Sequence, residues 1–86
     1  MVKKIRFENK ADRNMSISIE PEAANIDLEN GKAVEIELKL MTDRYNDEFD
    51  CTFVADGIVI YECRQYEMKV FIDNELKYYT PAGRYW

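Results

Sequence analysis

Hydrophobic and polar residues alternate along most of this chain with a period of two. Ile5 and Phe7 are separated by a charged residue, and Val34, Ile36 and Leu38 are separated by glutamates. Such alternation is typical of β-strands that bury one face and expose the other. Beyond these two strands, the same pattern or a more continuous apolar run predicts strands at Met15–Ile19, Ile26–Leu28, Phe49–Ala55, Ile58–Cys63, Met68–Ile72 and Leu76–Thr80.

Turn-forming residues separate these segments and suggest how they are joined. Asp56-Gly57 suits a two-residue type I′ turn, which would place Phe53 opposite Ile60. Glu29-Asn30-Gly31 suits a three-residue hairpin loop with its glycine in the left-handed conformation, so we expect the third and fourth strands to pair. Asp73-Asn74 is expected to form another tight turn.

The segment Glu20–Glu29 allows a second interpretation. Pro21 could occupy the first turn of a helix, with Gly31 just beyond its end. The alternation around Ile26 and Leu28 fits a strand better, so a strand is the favoured prediction. Together, about seven short strands with closely spaced turns predict an all-β fold, either a small antiparallel β-sandwich or an open barrel.

The length of 86 residues accommodates one small domain. We expect a single β-sandwich domain over residues 1–80, because Pro81 cannot continue the last strand. Residues 81–86 would then form a short aromatic C-terminal tail.

Charge and hydropathy argue against several classes of protein. The chain has 12 Lys and Arg against 17 Asp and Glu, which gives a formal net charge of -5. This acidic balance argues against binding to nucleic acids or anionic membranes, which requires clustered cations. No apolar run approaches the roughly 18–20 residues that span a bilayer, and Arg6 and Glu8 interrupt the apolar stretch that a signal peptide requires. We therefore expect a cytoplasmic protein.

The residues usual in catalysis are scarce. Because there is no histidine, the common near-neutral proton shuttle and the commonest metal ligand are missing. Cys51 and Cys63 are predicted on opposite faces of one hairpin, as free buried thiols without an activating base. Ser16 and Ser18 alternate with core residues and are expected to face solvent. We therefore expect no cofactor and no enzymatic activity.

Several short motifs are shared with a known group of proteins. The chain contains Asn9-Lys10-Ala11-Asp12-Arg13, Glu20-Pro21, Leu28-Glu29-Asn30-Gly31 and Gly57-Ile58-Val59-Ile60-Tyr61. In these motifs it resembles a group of small bacterial single-domain β-proteins with the pattern N-x-x-D-R, E-P, L-x-x-G and G-I-x-I-Y, although Ala11 stands where Ser or Thr is usual. The resemblance covers most of the chain. It implies a β fold and a bacterial source, and it implies no reaction.

The longest polar stretch between predicted strands is rich in carboxylates. The residues there that could contact a partner are Asp43, Tyr45, Asp47, Glu48 and Asp50. A solvated acidic loop is the ordinary interpretation, and binding of a protein or of Ca²⁺ are the functional alternatives.

The C-terminal tail is the second candidate for an interaction site. Arg84, Tyr85 and Trp86 belong to the residue types that dominate interface hot spots. The ordinary interpretation is that they fold back over an open end of the sandwich, because a small core lacks apolar cover. The alternative is that they bind a partner or a second copy of the chain.

The leading functional hypothesis is a non-enzymatic acidic module that binds a basic protein, for example an immunity or inhibitor protein acting on a basic toxin. Opposite surface potentials would speed the encounter and fix its specificity. The first alternative is a structural module that forms homo-oligomers through exposed strand edges and the aromatic tail. The second is a binder of a sugar or nucleotide, with a mouth lined by Tyr61, Tyr66, Tyr78 and Tyr79.

Overall fold

The computed structural model describes residues 2–20, 23–40, 50–62 and 66–81. These residues form eight strands, which agrees with the predicted number of about seven, and no helix, so the described part of the chain has no helix that could cross a membrane. The helical alternative for the segment after Glu20 is wrong over 24–28, which is a strand. The strands are β1 (Val2–Glu8), β2 (Met15–Glu20), β3 (Ala24–Leu28), β4 (Ala33–Leu40), β5 (Asp50–Val54), β6 (Gly57–Tyr61), β7 (Tyr66–Ile72) and β8 (Glu75–Thr80).

The strands form two four-stranded sheets that pack into a β-sandwich. Sheet A has the order β1-β4-β7-β8, and sheet B has the order β3-β2-β6-β5. The all-β prediction is confirmed. The sheets are antiparallel except at the centre of sheet B, where β2 and β6 run parallel.

One continuous core lies between the two sheets. Ile17, Ile19 and Ile60 of sheet B and Val34 and Ile36 of sheet A are fully buried in it. These are inward positions of the alternating pattern, so the sequence period and the buried face agree. Burying each such side chain contributes roughly 1.5–3 kcal/mol to folding.

The predicted hairpin between the third and fourth strands is wrong. β3 pairs with β2, whereas β4 pairs with β1 and β7, so the connection after Leu28 passes from one sheet to the other. The turn itself has the expected chemistry, because Gly31 has a φ of 85° and the Lys32 amide donates to the Glu29 carbonyl at 3.0 Å. A left-handed glycine reverses the chain equally well within a sheet and between sheets, which is why the turn alone misled the prediction.

The turn between β5 and β6 is displaced by one residue from its predicted position, which shifts the pairing of the two strands by two residues. Its two loop residues are Ala55 and Asp56, and Phe53 pairs with Ile58 instead of Ile60. Neither loop residue has a positive φ, so the type I′ turn predicted here is also wrong. A shift of two residues leaves every side chain on its predicted face.

The tight turn predicted at Asp73-Asn74 is confirmed. The φ angles of the two residues are 52° and 63°, and the flanking residues Ile72 and Glu75 pair directly. Both central residues are left-handed, as a type I′ turn requires.

Gly57 is required by the close approach of β2. An added Cβ would lie 1.8 Å from the carbonyl oxygen of Ser16, and 2.8 Å and 2.9 Å from the backbone carbon and nitrogen of that residue. These atoms belong to the parallel pair at the centre of sheet B, so they cannot move independently of the ladder.

Asn9 is a buried polar residue whose side chain bonds to backbone groups of three other residues. Its exposed fraction is 3%, and its amide nitrogen donates to the carbonyls of Leu28 at 2.9 Å and Arg13 at 3.0 Å. Its amide oxygen accepts from the backbone N–H of Ala11 at 3.0 Å. The side chain therefore fixes the loop after β1 and attaches it to the end of β3.

The backbone of Asn9 extends this network to the next connection. Its N–H donates to the carbonyl of Lys32, and its carbonyl accepts from the N–H of Gly31, both at 2.9 Å. The Arg13 guanidinium donates to the carbonyl of Ala55 at 2.6 Å. One end of the sandwich is thus held together by a single network that reaches three connections.

We expect Asn9→Ala to lower the free energy of unfolding by about 3 kcal/mol, because it leaves buried backbone groups without partners. Urea denaturation followed by circular dichroism measures the loss. The matched control is Asn25→Ala at an exposed position of β3, for which we expect a change within about 0.5 kcal/mol. Equal losses in the two variants would contradict this role of Asn9.

We expect Gly57→Ala to cost at least about 3 kcal/mol, since the new methyl group overlaps a backbone that cannot retreat. The control is Gly31→Asn, because an added Cβ there meets no atom within 4 Å and asparagine tolerates the left-handed conformation. The control should cost less than about 1 kcal/mol in the same denaturation experiment. A Gly57→Ala protein as stable as the wild type would show that β2 and β6 can move apart without lowering the free energy of unfolding.

Candidate functional site

The outer face of sheet B carries carboxylates that no described lysine or arginine on the same face balances. This surface, here called the acidic face, contains the carboxylates of Glu20, Asp27 and Asp50 and no lysine or arginine among the described residues. The rest of the face is small or neutral, and it consists of Ser16, Ser18, Asn25, Thr52, Val54, Gly57, Val59 and Tyr61.

The outer face of sheet A has the opposite character, because its charges are balanced. Lys4 lies opposite Glu37, Arg6 lies opposite Glu35, and Glu37 in turn lies opposite Lys69. Cross-strand neighbours of opposite sign attract one another and cancel most of the field they project into solvent. The uncompensated field of the described strands therefore arises mainly from sheet B.

Two carboxylates flank an exposed tyrosine on the acidic face. Tyr61 is 42% exposed, and its register partners are Glu20 on one side and Asp50 on the other. The strands of a sheet are about 4.8 Å apart, so the two carboxylates stand roughly 10 Å from each other with the ring between them. An aromatic face bordered by carboxylates is suited to a lysine or arginine side chain, through cation–π attraction and charge.

The outer edge of β5 has little protection against pairing with another chain. Edge strands normally carry charges, bulges or proline that prevent pairing with other chains. The β1 edge has three cations, and the β8 edge has a register shift at Val70/Phe71. In β5 the only charge is Asp50 at its start, while Phe53 is 70% and Val54 is 48% exposed.

The hydrogen bonds of β6 show which of its backbone groups face β2. The carbonyl of Asp56 accepts from the N–H of Ser16 at 2.8 Å, and the N–H of Glu62 donates to the carbonyl of Glu20 at 2.9 Å. Backbone groups of successive residues point to opposite sides of a strand. The even-numbered residues of β6 therefore bond to β2, and the odd-numbered residues bond to β5.

This alternation determines which backbone groups of β5 remain at its outer edge. The odd-numbered residues of β6 pair with Asp50, Thr52 and Val54, so these three bond inward. The N–H and C=O groups of Cys51 and Phe53 then point away from the sheet. No described strand pairs with them.

An apolar cavity has Phe53 of β5 in its wall. Its volume is about 130 Å³, and it lies between the sheets at the end that Asn9 holds together. Phe53 lines it and meets Phe7 edge to face, with ring centroids 6.2 Å apart. The other apolar side chains around it are Met15, Ile17, Leu28 and Ile58.

A second cavity, of about 270 Å³, is lined by charged side chains, some of which form ion pairs with one another. Lys32 Nζ lies 2.8 Å from Asp73 Oδ2, and this hydrogen bond, with the attraction of the same carboxylate, raises the pKa of Lys32. Lys77 similarly lies 3.3 Å from Glu75. Among the residues that the structure describes, no cluster of three or more carboxylates or thiols has the geometry of a metal site.

The structure describes only one of the residues that the sequence singled out as a partner site. Asp50 lies exposed on the acidic face, at the start of β5. The others lie outside the described residues, and their role stays a prediction; they are Asp43, Tyr45, Asp47, Glu48, Arg84, Tyr85 and Trp86. Sequence reasoning missed Glu20 and Phe53 and named Tyr61 only for a different site, because the surroundings of these residues depend on the order of the strands.

The tyrosines proposed to line a ligand-binding mouth do not converge. Tyr66 is 2% exposed in the core, while Tyr61 and Tyr79 lie on the outer faces of different sheets. The hydroxyl of Tyr78 donates to the Glu62 carboxylate. These four side chains therefore do not form one binding surface.

The cysteine prediction is confirmed only in part. Cys51 is a free thiol, as expected, but it is half-buried because β5 lies at the edge of its sheet. Cys63 lies outside the described residues.

We expect the amides of Cys51 and Phe53 to exchange hydrogen with solvent at least about tenfold faster than those of Thr52 and Val54, because only the latter bond to β6. Amide exchange measured by NMR at neutral pH tests this. The internal control is β7, the central strand between β4 and β8, in which alternate amides should not differ in this way. Equal protection along β5 would mean that its outer edge is already paired.

No protein-family model matches the chain, and no curated protein or solved structure matches it either. The resemblance to a group of small bacterial β-proteins accordingly stays a prediction.

Proposed function

We propose that this chain is a non-enzymatic module that binds a basic partner protein through its acidic face. The observation that carries the proposal is the difference between the two outer faces of the sandwich. Sheet A balances its cations with carboxylates across neighbouring strands, whereas the described part of sheet B presents Glu20, Asp27 and Asp50 alone. An uncompensated acidic face steers a basic protein toward one side of the molecule and sets its orientation.

The centre of the proposed contact is Tyr61 with the carboxylates beside it. A lysine or arginine of the partner that stacks on the Tyr61 ring would meet Glu20 on one side and Asp50 on the other. Tyrosine supplies contact area at low entropic cost, and the carboxylates make the contact selective for cations. The small side chains of Ser18 and Val59 next to the ring leave room for a partner surface to approach.

An immunity or inhibitor protein that neutralises a basic toxin is one specific form of this proposal. The net charge of -5 and the small size suit that role, because a compact acidic protein can cover a cationic active site without chemistry of its own. Asp47 and Glu48 lie close to Asp50 in the sequence and are further candidates for this contact.

We expect the double variant Glu20→Lys/Asp50→Lys to bind the partner at least about tenfold more weakly than the wild type, because it reverses both charges beside Tyr61. The partner is first captured from lysate of the encoding organism at ~50 mM salt, identified by mass spectrometry, and purified. Binding of each variant is then measured by calorimetry at low and high salt.

The matched control is Glu8→Lys/Asp12→Lys, which changes the net charge by the same amount at exposed positions that do not belong to the acidic face. It should retain most of the affinity, and its binding should weaken with salt like that of the wild type. If both double variants lose affinity equally, the partner senses net charge and the acidic face is not its docking surface.

A further inference from the structure

We propose that the partner contributes an extended segment that adds to sheet B as an antiparallel strand along β5, with an apolar side chain in the cavity beside Phe53 and a basic side chain opposite Asp50. This inference rests on the proposed binding function and specifies how the partner is recognised. Strand addition is a general mode of recognition, in which the main chain supplies affinity and alternate side chains supply specificity.

The outer edge of β5 presents backbone groups that such a segment can bond to. The N–H and C=O groups of Cys51 and Phe53 point away from β6, and no described strand satisfies them. One antiparallel strand would form two hydrogen-bonded residue pairs with these four groups. The edge lacks the lysines and the register shift that protect β1 and β8.

The cavity selects the side chain that lies opposite Phe53. Directly opposite residues of paired strands point to the same face of a sheet, so this side chain points between the two sheets. There it meets the apolar cavity of about 130 Å³ that Phe53 borders. An apolar cavity of about 150 Å³ accommodates a molecule of the size of benzene, so a leucine or isoleucine side chain matches the available space.

The acidic face selects the side chain that lies opposite Asp50. That position is three residues along the segment from the one opposite Phe53, so it points to the outer face of sheet B. A lysine or arginine there pairs with Asp50 and extends the row that contains Tyr61 and Glu20. From its N-terminus the segment therefore has five positions: any residue, a large apolar residue, a small polar residue, an apolar residue and a cation.

A second copy of this chain is less suited than a basic partner to pair with the outer edge of β5. A two-fold axis at Thr52 would place Phe53 opposite Cys51 and Val54 opposite Asp50. No cation would then lie opposite Asp50, and the acidic faces of two chains, each with a net charge of -5, would join into one continuous sheet. Charge complementarity therefore favours a basic partner.

A synthetic pentapeptide tests the mode of binding directly. The probe is acetyl-Thr-Leu-Thr-Val-Lys-amide, titrated into isotope-labelled protein and followed by NMR. We expect shift changes centred on Cys51 and Phe53, with slower exchange of their two amides. Replacement of the terminal lysine by glutamate should weaken binding at least about tenfold. Moving each apolar residue by one position, as in acetyl-Leu-Thr-Val-Thr-Lys-amide, should weaken it as much, because the leucine then faces solvent.

N-methylation of the peptide separates strand addition from other contacts. Methylation of the leucine or valine amide removes a hydrogen bond to β5 and should weaken binding at least about tenfold. Methylation of the central threonine amide, which faces away from β5, is the matched control and should have little effect. Equal effects at all three positions would overturn the proposal.

Two further results would also overturn it. If the amides of Cys51 and Phe53 are protected in the free protein and this protection grows with protein concentration, a second copy occupies the edge. If the peptide fails to bind while Glu20→Lys/Asp50→Lys still abolishes capture of the partner, the acidic face binds the partner by another mode. The second result rejects strand addition and leaves the proposed function intact.

Discussion

The fold depends on one buried amide at the end of the sandwich. The side chain of Asn9 bonds to two backbone groups of its own loop and to the carbonyl at the end of β3, and its backbone bonds to the connection before β4. A buried polar side chain is tolerated only when its groups are paired, so these segments can adopt few arrangements that keep all the bonds. The amide thereby fixes where β1 ends, where β3 ends and how the chain enters β4. Arg13 extends the constraint to the carbonyl of Ala55, next to β5.

This constraint separates the positions that build the fold from the positions that are free to bind. Asn9, Arg13, Gly31 and Gly57 belong to the motifs that stand out in the sequence, and each has a structural explanation: a buried network, a left-handed turn or a close strand approach. Residues of this kind specify an architecture and do not by themselves specify a partner. The exposed carboxylates of sheet B belong to no such network.

The sequence predicted the strands and their faces because period-two alternation is a local property, visible in Ile17 and Val34 without knowledge of their neighbours. It did not predict which strands pair, since Gly31 serves a turn between sheets as well as a turn within one. The acidic face was missed for the same reason. Glu20 and Tyr61 are distant in sequence and become neighbours through the parallel pairing of β2 with β6, while Asp50 lies beside Tyr61 through the pairing of β5 with β6. Of these three residues, Asp50 alone was singled out as a partner contact, from local charge density.

The alternation of side-chain direction along each strand connects the core to the proposed binding surface. Along β5 and β6 every second residue faces the core or its cavity, and the residues between them form the acidic face. A slip of one residue would bury carboxylates and expose isoleucines, so the burial of Ile58 and Ile60 also fixes the outward direction of Tyr61. The row of Glu20, Tyr61 and Asp50 is thus held in place by core packing on the other side of the same strands. A partner strand on β5 would come under the same rule, because its inward side chains meet the cavity and its outward side chains meet the carboxylates. Selectivity for an alternating apolar and basic segment follows from the geometry of the sheet.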